Sequence, residues 1–169
     1  MTGVAYSADI WNPATGQWTV GALASRARLY HSNTVLMPDA SVLMLGGGAP
    51  GPQNNTNVEV YYPPYLYAAG GGFASRPVID NAPSTIDVGE TFEIELGSSA
   101  TIGRVSLIKT TSSSHSFNFE QRFVELTFQQ SGGAQDGTVL GSFVALGALP
   151  SFMNDLKVKG IELDESAFA

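Results

Sequence analysis

The fold class is read most directly from residues 8 to 19, which run Ala8-Asp-Ile-Trp-Asn-Pro-Ala-Thr-Gly-Gln-Trp-Thr19. Apolar and polar side chains alternate as far as a turn at residues 12–16, which contains proline and glycine, and the pattern resumes at Trp18. Two antiparallel strands joined by a short loop give this arrangement. We therefore predict a β-hairpin at this point.

The first half of that pattern returns about fifty residues later. Val58-Glu-Val-Tyr-Tyr-Pro63 places an acidic, a β-branched and an aromatic residue and a proline in the same order as residues 8–13. Between the two copies lie a strand candidate at residues 32–37, a turn at 38–41, and a strand that ends in Gly46-Gly-Gly48. A period near fifty is typical of kelch-type propeller blades, so we expect one blade-like segment over residues 1–67.

The character of the chain changes near residue 68. Pro63-Pro-Tyr-Leu-Tyr67 stiffens the backbone, and Gly70-Gly-Gly72 then releases it. Short strand candidates separated by turns follow, at residues 76–80, 91–96, 104–109 and 122–128. Their spacing predicts an antiparallel, immunoglobulin-type β-sandwich over residues 68–169, and hence an all-β protein.

Composition narrows the classes of function. The 169 residues carry a net charge of −7 without a cluster of lysine and arginine, which argues against nucleic-acid binding. No apolar run approaches the roughly 18 to 20 residues of a membrane span. Cysteine is absent, which excludes disulfides and thiolate chemistry within the chain. The first residues lack the basic and apolar regions of a signal peptide, so we expect no export signal in this chain.

The two histidines are the best chemical lead. His31 directly follows Tyr30, and His115 lies in a stretch rich in serine and threonine. Imidazole nitrogens beside a phenol oxygen suit Cu(II), which prefers nitrogen and oxygen ligands. The residues alone leave simpler roles open: Tyr30 as a packing aromatic, His31 as a hydrogen-bonded histidine, and His115 as part of a solvated loop.

Several motifs occur in a recognisable order. They are Arg28-Leu-Tyr-His-Ser-Asn-Thr-Val-Leu-Met-Pro-Asp39, Gly46-Gly-Gly48, Tyr61-Tyr-Pro-Pro-Tyr-Leu-Tyr67 and Ser114-His-Ser-Phe-Asn-Phe-Glu-Gln-Arg-Phe-Val-Glu-Leu126. Together they resemble the C-terminal part of the copper radical oxidases, the family of galactose oxidase and glyoxal oxidase. The resemblance implies a partial kelch propeller, its last blade, at residues 1–67. An early-set, immunoglobulin-like domain would follow at 68–169.

The resemblance also implies a copper site. Tyr30 would be an axial ligand and the catalytic proton acceptor, His31 a second ligand, and His115 a third, carried on a loop of the C-terminal domain. Such enzymes oxidise primary alcohols or aldehydes with O2 and release H2O2, using a tyrosine linked to cysteine. Because this chain has no cysteine and about one blade, we expect it to be inactive alone and to need upstream propeller blades as its partner. A carbohydrate, or a small alcohol or aldehyde, would be the substrate of the whole protein, which is expected to be secreted or periplasmic.

A function of a different class remains open. The chain could be a stand-alone early-set module that contacts proteins or carbohydrates without catalysis. Residues beyond about 140 depart from the family pattern, which leaves the last strands of the sandwich without a specific prediction.

Overall fold

The computed structural model describes residues 2–87, 89–97, 101–115, 117–119, 121–131, 137–142 and 161–164, the last two ranges by their backbone. Their strands all pair antiparallel. The strands are β1 Ser7–Asn12, β2 Gln17–Leu23, β3 Ser32–Leu36, β4 Val42–Gly46, β5 Val58–Tyr61, β6 Ile79–Asn81, β7 Thr91–Leu96, β8 Arg104–Lys109, β9 Ser112–Ser114, β10 Phe117–Asn118, β11 Arg122–Ser131, β12 Gly137–Ser142 and β13 Ile161–Asp164.

The prediction of an all-β fold is confirmed. Within the described ranges, the single helical element is a 3-10 turn at Pro64–Leu66, where paired prolines start the turn and the chain becomes extended again at Tyr67. No helix in this part of the chain is long and apolar enough to cross a membrane.

The chain divides into two compact units, which are Met1–Ala74 with Thr110–Glu120, and Ser75–Lys109 with Gln121–Ala169. The first unit contains the predicted hairpin, in which β1 pairs with β2 and Trp11 stands opposite Trp18. It also contains a five-stranded sheet in the order β10-β9-β3-β4-β5. That sheet carries the residues of the predicted metal site.

The segment around His115 differs from its prediction as a loop. Ser112–Ser114 and Phe117–Asn118 form a short hairpin, and β9 pairs with β3 through Thr34 and Ser113. Residues 110–120 thus join the first unit, although the residues on both sides of them belong to the second. The serine-rich composition indicates a loop. The edge of β3, however, offers backbone hydrogen-bonding groups to this segment, and a local sequence pattern does not reveal such a distant partner.

The second unit is a six-stranded arrangement in the order β13-β8-β11-β12-β7-β6. Strand β11 pairs with β8 over its first half and with β12 over its second half. The strict alternation of β7 places every second side chain in the core, as a strand buried on one face requires. The core residues are Phe92, Ile94, Leu96, Ile102, Val105, Leu107 and Leu126. The question of the last strands beyond residue 142 lies outside the described residues, apart from β13, which pairs with β8.

Candidate metal centre

The pair Tyr30 and His31 lies in a tight turn just before β3. The Ser32 amide donates to the Leu29 carbonyl oxygen at 3.0 Å and closes the turn. His31 has a φ of 68°, a left-handed conformation that is uncommon for a residue with a side chain. A residue keeps such an unfavourable conformation only where the surrounding structure enforces it. The contacts around this turn therefore have to hold His31 in place.

The glycine run after β4 supports the turn from behind. The Gly48 amide donates to the Tyr30 carbonyl oxygen at 2.7 Å. A Cβ atom on Gly47 would lie 2.9 Å from Ser32 Cβ and 3.0 Å from the Leu29 carbonyl oxygen. The backbone of the run therefore approaches the turn more closely than any side chain would permit. These glycines are strand-end backbone, and they are also the support for Tyr30 and His31.

His115 occupies the tip of the β9–β10 hairpin. Its φ of 54° suits the left-handed position of a tight hairpin turn. A hydrogen bond of 2.9 Å joins Ser114 Oγ and His115 Nδ1. In the tautomer in which Nδ1–H donates to the serine, the lone pair of Nε2 is available to a metal ion, an arrangement usual for ligating histidines.

The structure brings the three predicted ligands together within the first unit. Ring centroids lie 3.8 Å apart for Tyr30 and His31, 4.7 Å for Tyr30 and His115, and 4.8 Å for the two imidazoles. All three side chains are exposed, Tyr30 by 62%. Residues 30 and 115 meet because β9 pairs with β3, whose start carries the turn.

The donor set fits a copper ion. A metal bonded at about 2 Å to one nitrogen of each of two imidazoles holds their ring centroids roughly 4.5 to 6 Å apart. The distance of 4.8 Å between the rings of His31 and His115 falls in that range. Two imidazoles with a phenol oxygen alongside favour Cu(II) over oxygen-preferring ions such as Mg²⁺ or Ca²⁺.

An ion pair lies beside the turn. Glu59 on β5 accepts a hydrogen bond of 2.7 Å from the Ser25 amide, and Arg28 Nη2 approaches its other oxygen at 2.5 Å. These hydrogen bonds, that of the Ser25 amide foremost, lower the pKa of Glu59 to about 2. The sequence patterns do not indicate this pair, although Arg28 lies in the motif of residues 28–39. The one sequence signal for the pair is that each segment carries an oppositely charged residue, Arg28 and Glu59, among apolar neighbours.

Glu59 makes the stability of the protein depend on acid. Because its folded pKa of about 2 lies below the ordinary 4.5, its stabilising contribution is complete above pH 4.5 and is lost as pH falls towards 2. We expect Glu59→Gln to unfold with a weaker pH dependence over that window than the wild type, as measured by urea unfolding at several pH values. Parallel curves for the two proteins would show that Glu59 does not titrate in this way.

Comparisons with known proteins show what part of the chain is similar to. Residues 76–145 match the model of the galactose oxidase-like early set domain. This match lies within the region predicted to be an early-set domain. This part of the chain is therefore similar to the early-set domain of galactose oxidase-like proteins.

Particular relatives agree with that class. The chain is 35% identical to a galactose oxidase of Gibberella zeae over 64% of its length and 16% of that protein's length. It is 33% identical to the aldehyde oxidase GLOX of Vitis pseudoreticulata over 59% of its length and 21% of that protein's. The structure superposes on a fungal alcohol oxidase of the AA5 family, solved in complex with copper, with a TM-score of 0.72, 29% identity, and coverage of 83% of this chain and 30% of that one.

These findings confirm the predicted relationship to the galactose and glyoxal oxidases. The chain spans 16% to 21% of the length of the two oxidases that it matches by sequence.

Proposed function

We propose that this chain supplies Tyr30, His31 and His115 to the copper centre of an oxidase acting on primary alcohols or aldehydes. The observation that carries the proposal is the meeting of the three rings, with centroids at most 4.8 Å apart, although His115 lies 84 residues after His31. The copper-bound alcohol oxidase that the structure resembles supports this choice of metal.

Each residue has a role in the proposed chemistry. When bound, copper would take one of the two electrons removed in converting R–CH2OH and O2 into R–CHO and H2O2, and the tyrosine linked to cysteine would take the other. His31 and His115 would hold the ion through ring nitrogens, and Ser114 orients the His115 ring through Nδ1. The phenol oxygen of Tyr30 would accept the proton of the substrate hydroxyl. Tyr30 is 62% exposed in this chain.

The remaining parts of such an oxidase would come from outside this chain. The chain has no cysteine, so a tyrosine linked to cysteine would have to lie in the upstream propeller blades. Those blades are the partner that we propose for the first unit. We further propose export from the cell, as is usual for such oxidases, and a small alcohol, aldehyde or carbohydrate as substrate.

Copper titration of the chain tests this proposal. We expect the wild type to bind one Cu(II), with an electron paramagnetic resonance spectrum showing two nitrogen ligands. His31→Asn and His115→Asn should each lower the affinity by about 100-fold or more, since even outer partners of a ligand typically contribute 10- to 100-fold. Asparagine is chosen because it tolerates the positive φ at both positions.

Two further variants sharpen the titration. Tyr30→Phe should remove any phenolate-to-copper absorption while both nitrogen couplings persist. Tyr67→Phe is the matched control, because Tyr67 is an exposed tyrosine of the same unit that stacks on Phe73 instead. Wild-type affinity in either histidine variant would exclude that histidine from the site and contradict the proposal.

A further inference from the structure

We propose that Arg28 is a positioning residue for this centre, holding the turn of Tyr30 and His31 in the conformation that presents both side chains. This inference rests on the proposed function for its biological meaning. The test below includes measurements on the metal-free protein, so the two proposals can fail separately.

The guanidinium of Arg28 donates hydrogen bonds to three acceptors on β4 and β5 or directly beside them. Nη1 donates to the carbonyl oxygens of Gly46 at 3.1 Å and Asn57 at 3.3 Å, and Nη2 donates to Glu59 Oε2 at 2.5 Å. The side chains of Arg28 and Glu59 are only 12% and 20% exposed. Hydrogen bonds of a shielded, charged pair are stronger than those of a surface pair. The segment before β3 is thereby fixed to β4 and β5.

One of these acceptors, Gly46, connects Arg28 to the turn of Tyr30 and His31. Gly46 begins the glycine run, and two residues later the Gly48 amide holds the Tyr30 carbonyl oxygen at 2.7 Å. On the other side of the run, the Asn55 amide donates to the Gly47 carbonyl oxygen, and Asn55 Nδ2 donates to Ala27 O at 2.7 Å. Residues 27 to 30 are therefore held at both ends. Arg28 supplies the charged link of this network.

The strain at His31 explains why such a network is useful. A residue with a side chain at φ 68° is strained relative to the right-handed conformation. Without its anchors, the turn can relax and rotate the imidazole away from Tyr30 and His115. Since the hydrogen bonds of Arg28 go to Gly46, Asn57 and Glu59, the arginine acts on the two ligands through the backbone.

Arginine and lysine should differ at this position. The planar guanidinium bonds a carboxylate and two carbonyl groups at once, whereas a lysine ammonium is a single point charge. Arg28→Lys should retain the attraction to Glu59 and lose part of the hold on Gly46. We therefore expect Arg28→Lys to change the position of the His31 ring and the Cu(II) affinity less than Arg28→Met does, but still measurably.

The first arm of the test is proton NMR of the metal-free chain. With only two histidines, the chain gives two resolvable imidazole Hε1 signals. The Tyr30 ring, 3.8 Å from the His31 ring, shifts the His31 signal, and Tyr30→Leu gives the unshifted reference. Arg28→Met should move this signal towards the reference, and Arg28→Lys should move it less. Arg26→Met, at an exposed arginine two residues earlier, should leave it in place.

The second arm repeats the copper titration. Arg28→Met should lower Cu(II) affinity by roughly 10- to 100-fold, the range typical of residues that orient a ligand. A folded Arg28→Met with wild-type histidine signals and affinity overturns the proposal. If that variant does not fold, Arg28→Lys and Glu59→Gln decide, and wild-type signals in both overturn it. A wild type that binds no copper while the NMR shifts respond to Arg28 would refute the proposed function and leave the positioning role supported.

Discussion

Alanine at Gly48 is expected to destabilise the first unit by about 3 kcal/mol. The new Cβ atom would stand 1.5 Å from the Gln53 carbonyl oxygen and 2.7 Å from its carbon, so backbone has to move. Gly48 also has a φ of +97°, which a residue with a side chain rarely adopts. Overpacking of this kind costs about 1 to 3 kcal/mol, and the left-handed conformation adds about 1 to 2.

Tryptophan fluorescence during urea unfolding measures this effect, because Trp11 and Trp18 both lie in the first unit. Gly16→Ala is the matched control. Gly16 has a φ of +68°, but an added Cβ meets no atom within 4 Å, so it incurs only the conformational cost of about 1 to 2 kcal/mol. Equal losses in the two variants would show that the close approach at Gly48 is relieved without cost. Gly48→Ala should also weaken copper binding, since the hydrogen bond to the Tyr30 carbonyl is displaced.

The second large effect is expected from Ile94→Ala in the core of the second unit. Ile94 is completely buried, and its neighbours on β7, Phe92 and Leu96, are nearly so. Removing its side chain should cost about 2 to 5 kcal/mol, because a buried void replaces packed contacts. Val78→Ala, at a side chain that is 51% exposed, should change the stability by less than about 0.5 kcal/mol.

The effect of Ile94→Ala has to be measured by a probe that lies in the second unit. All tyrosines and tryptophans of the chain lie among residues 1–74, so their fluorescence does not report on the second unit directly. Hydrogen exchange of the β7 amides, followed by mass spectrometry, does. Unchanged protection of β7 in Ile94→Ala would mean that this residue does not stabilise the unit as its burial implies.

Local patterns were sufficient for most strands. The alternation at residues 91–96 predicted β7 with its correct bounds, and the turn at residues 12–16 predicted the first hairpin. In these cases the periodicity and turn chemistry that identify an element are contained within it. The match of residues 76–145 with the early-set model confirms the early-set prediction for that region.

The features that local patterns did not predict depend on partners far away in the sequence. Whether Ser112–Ser114 forms a strand depends on the edge of β3, which lies far away in the sequence. The partnership of Arg28 with Glu59 joins residues 31 positions apart, and the need for glycine at position 48 comes from Gln53. The candidate ligands follow from motifs, whereas the contacts that hold them in place join residues that no local sequence pattern connects.

The pairing of Thr34 with Ser113 also bears on how the molecule is made. His115 lies 84 residues after His31, so on the ribosome Tyr30 and His31 emerge long before the third candidate ligand is synthesised. Contacts between such distant segments require a large loop to close and form slowly. The nascent chain can therefore form its glycine-supported turn early, while the complete set of candidate ligands is present only later in synthesis. Until residue 115 has been made, the chain holds Tyr30 and His31 without the third candidate ligand.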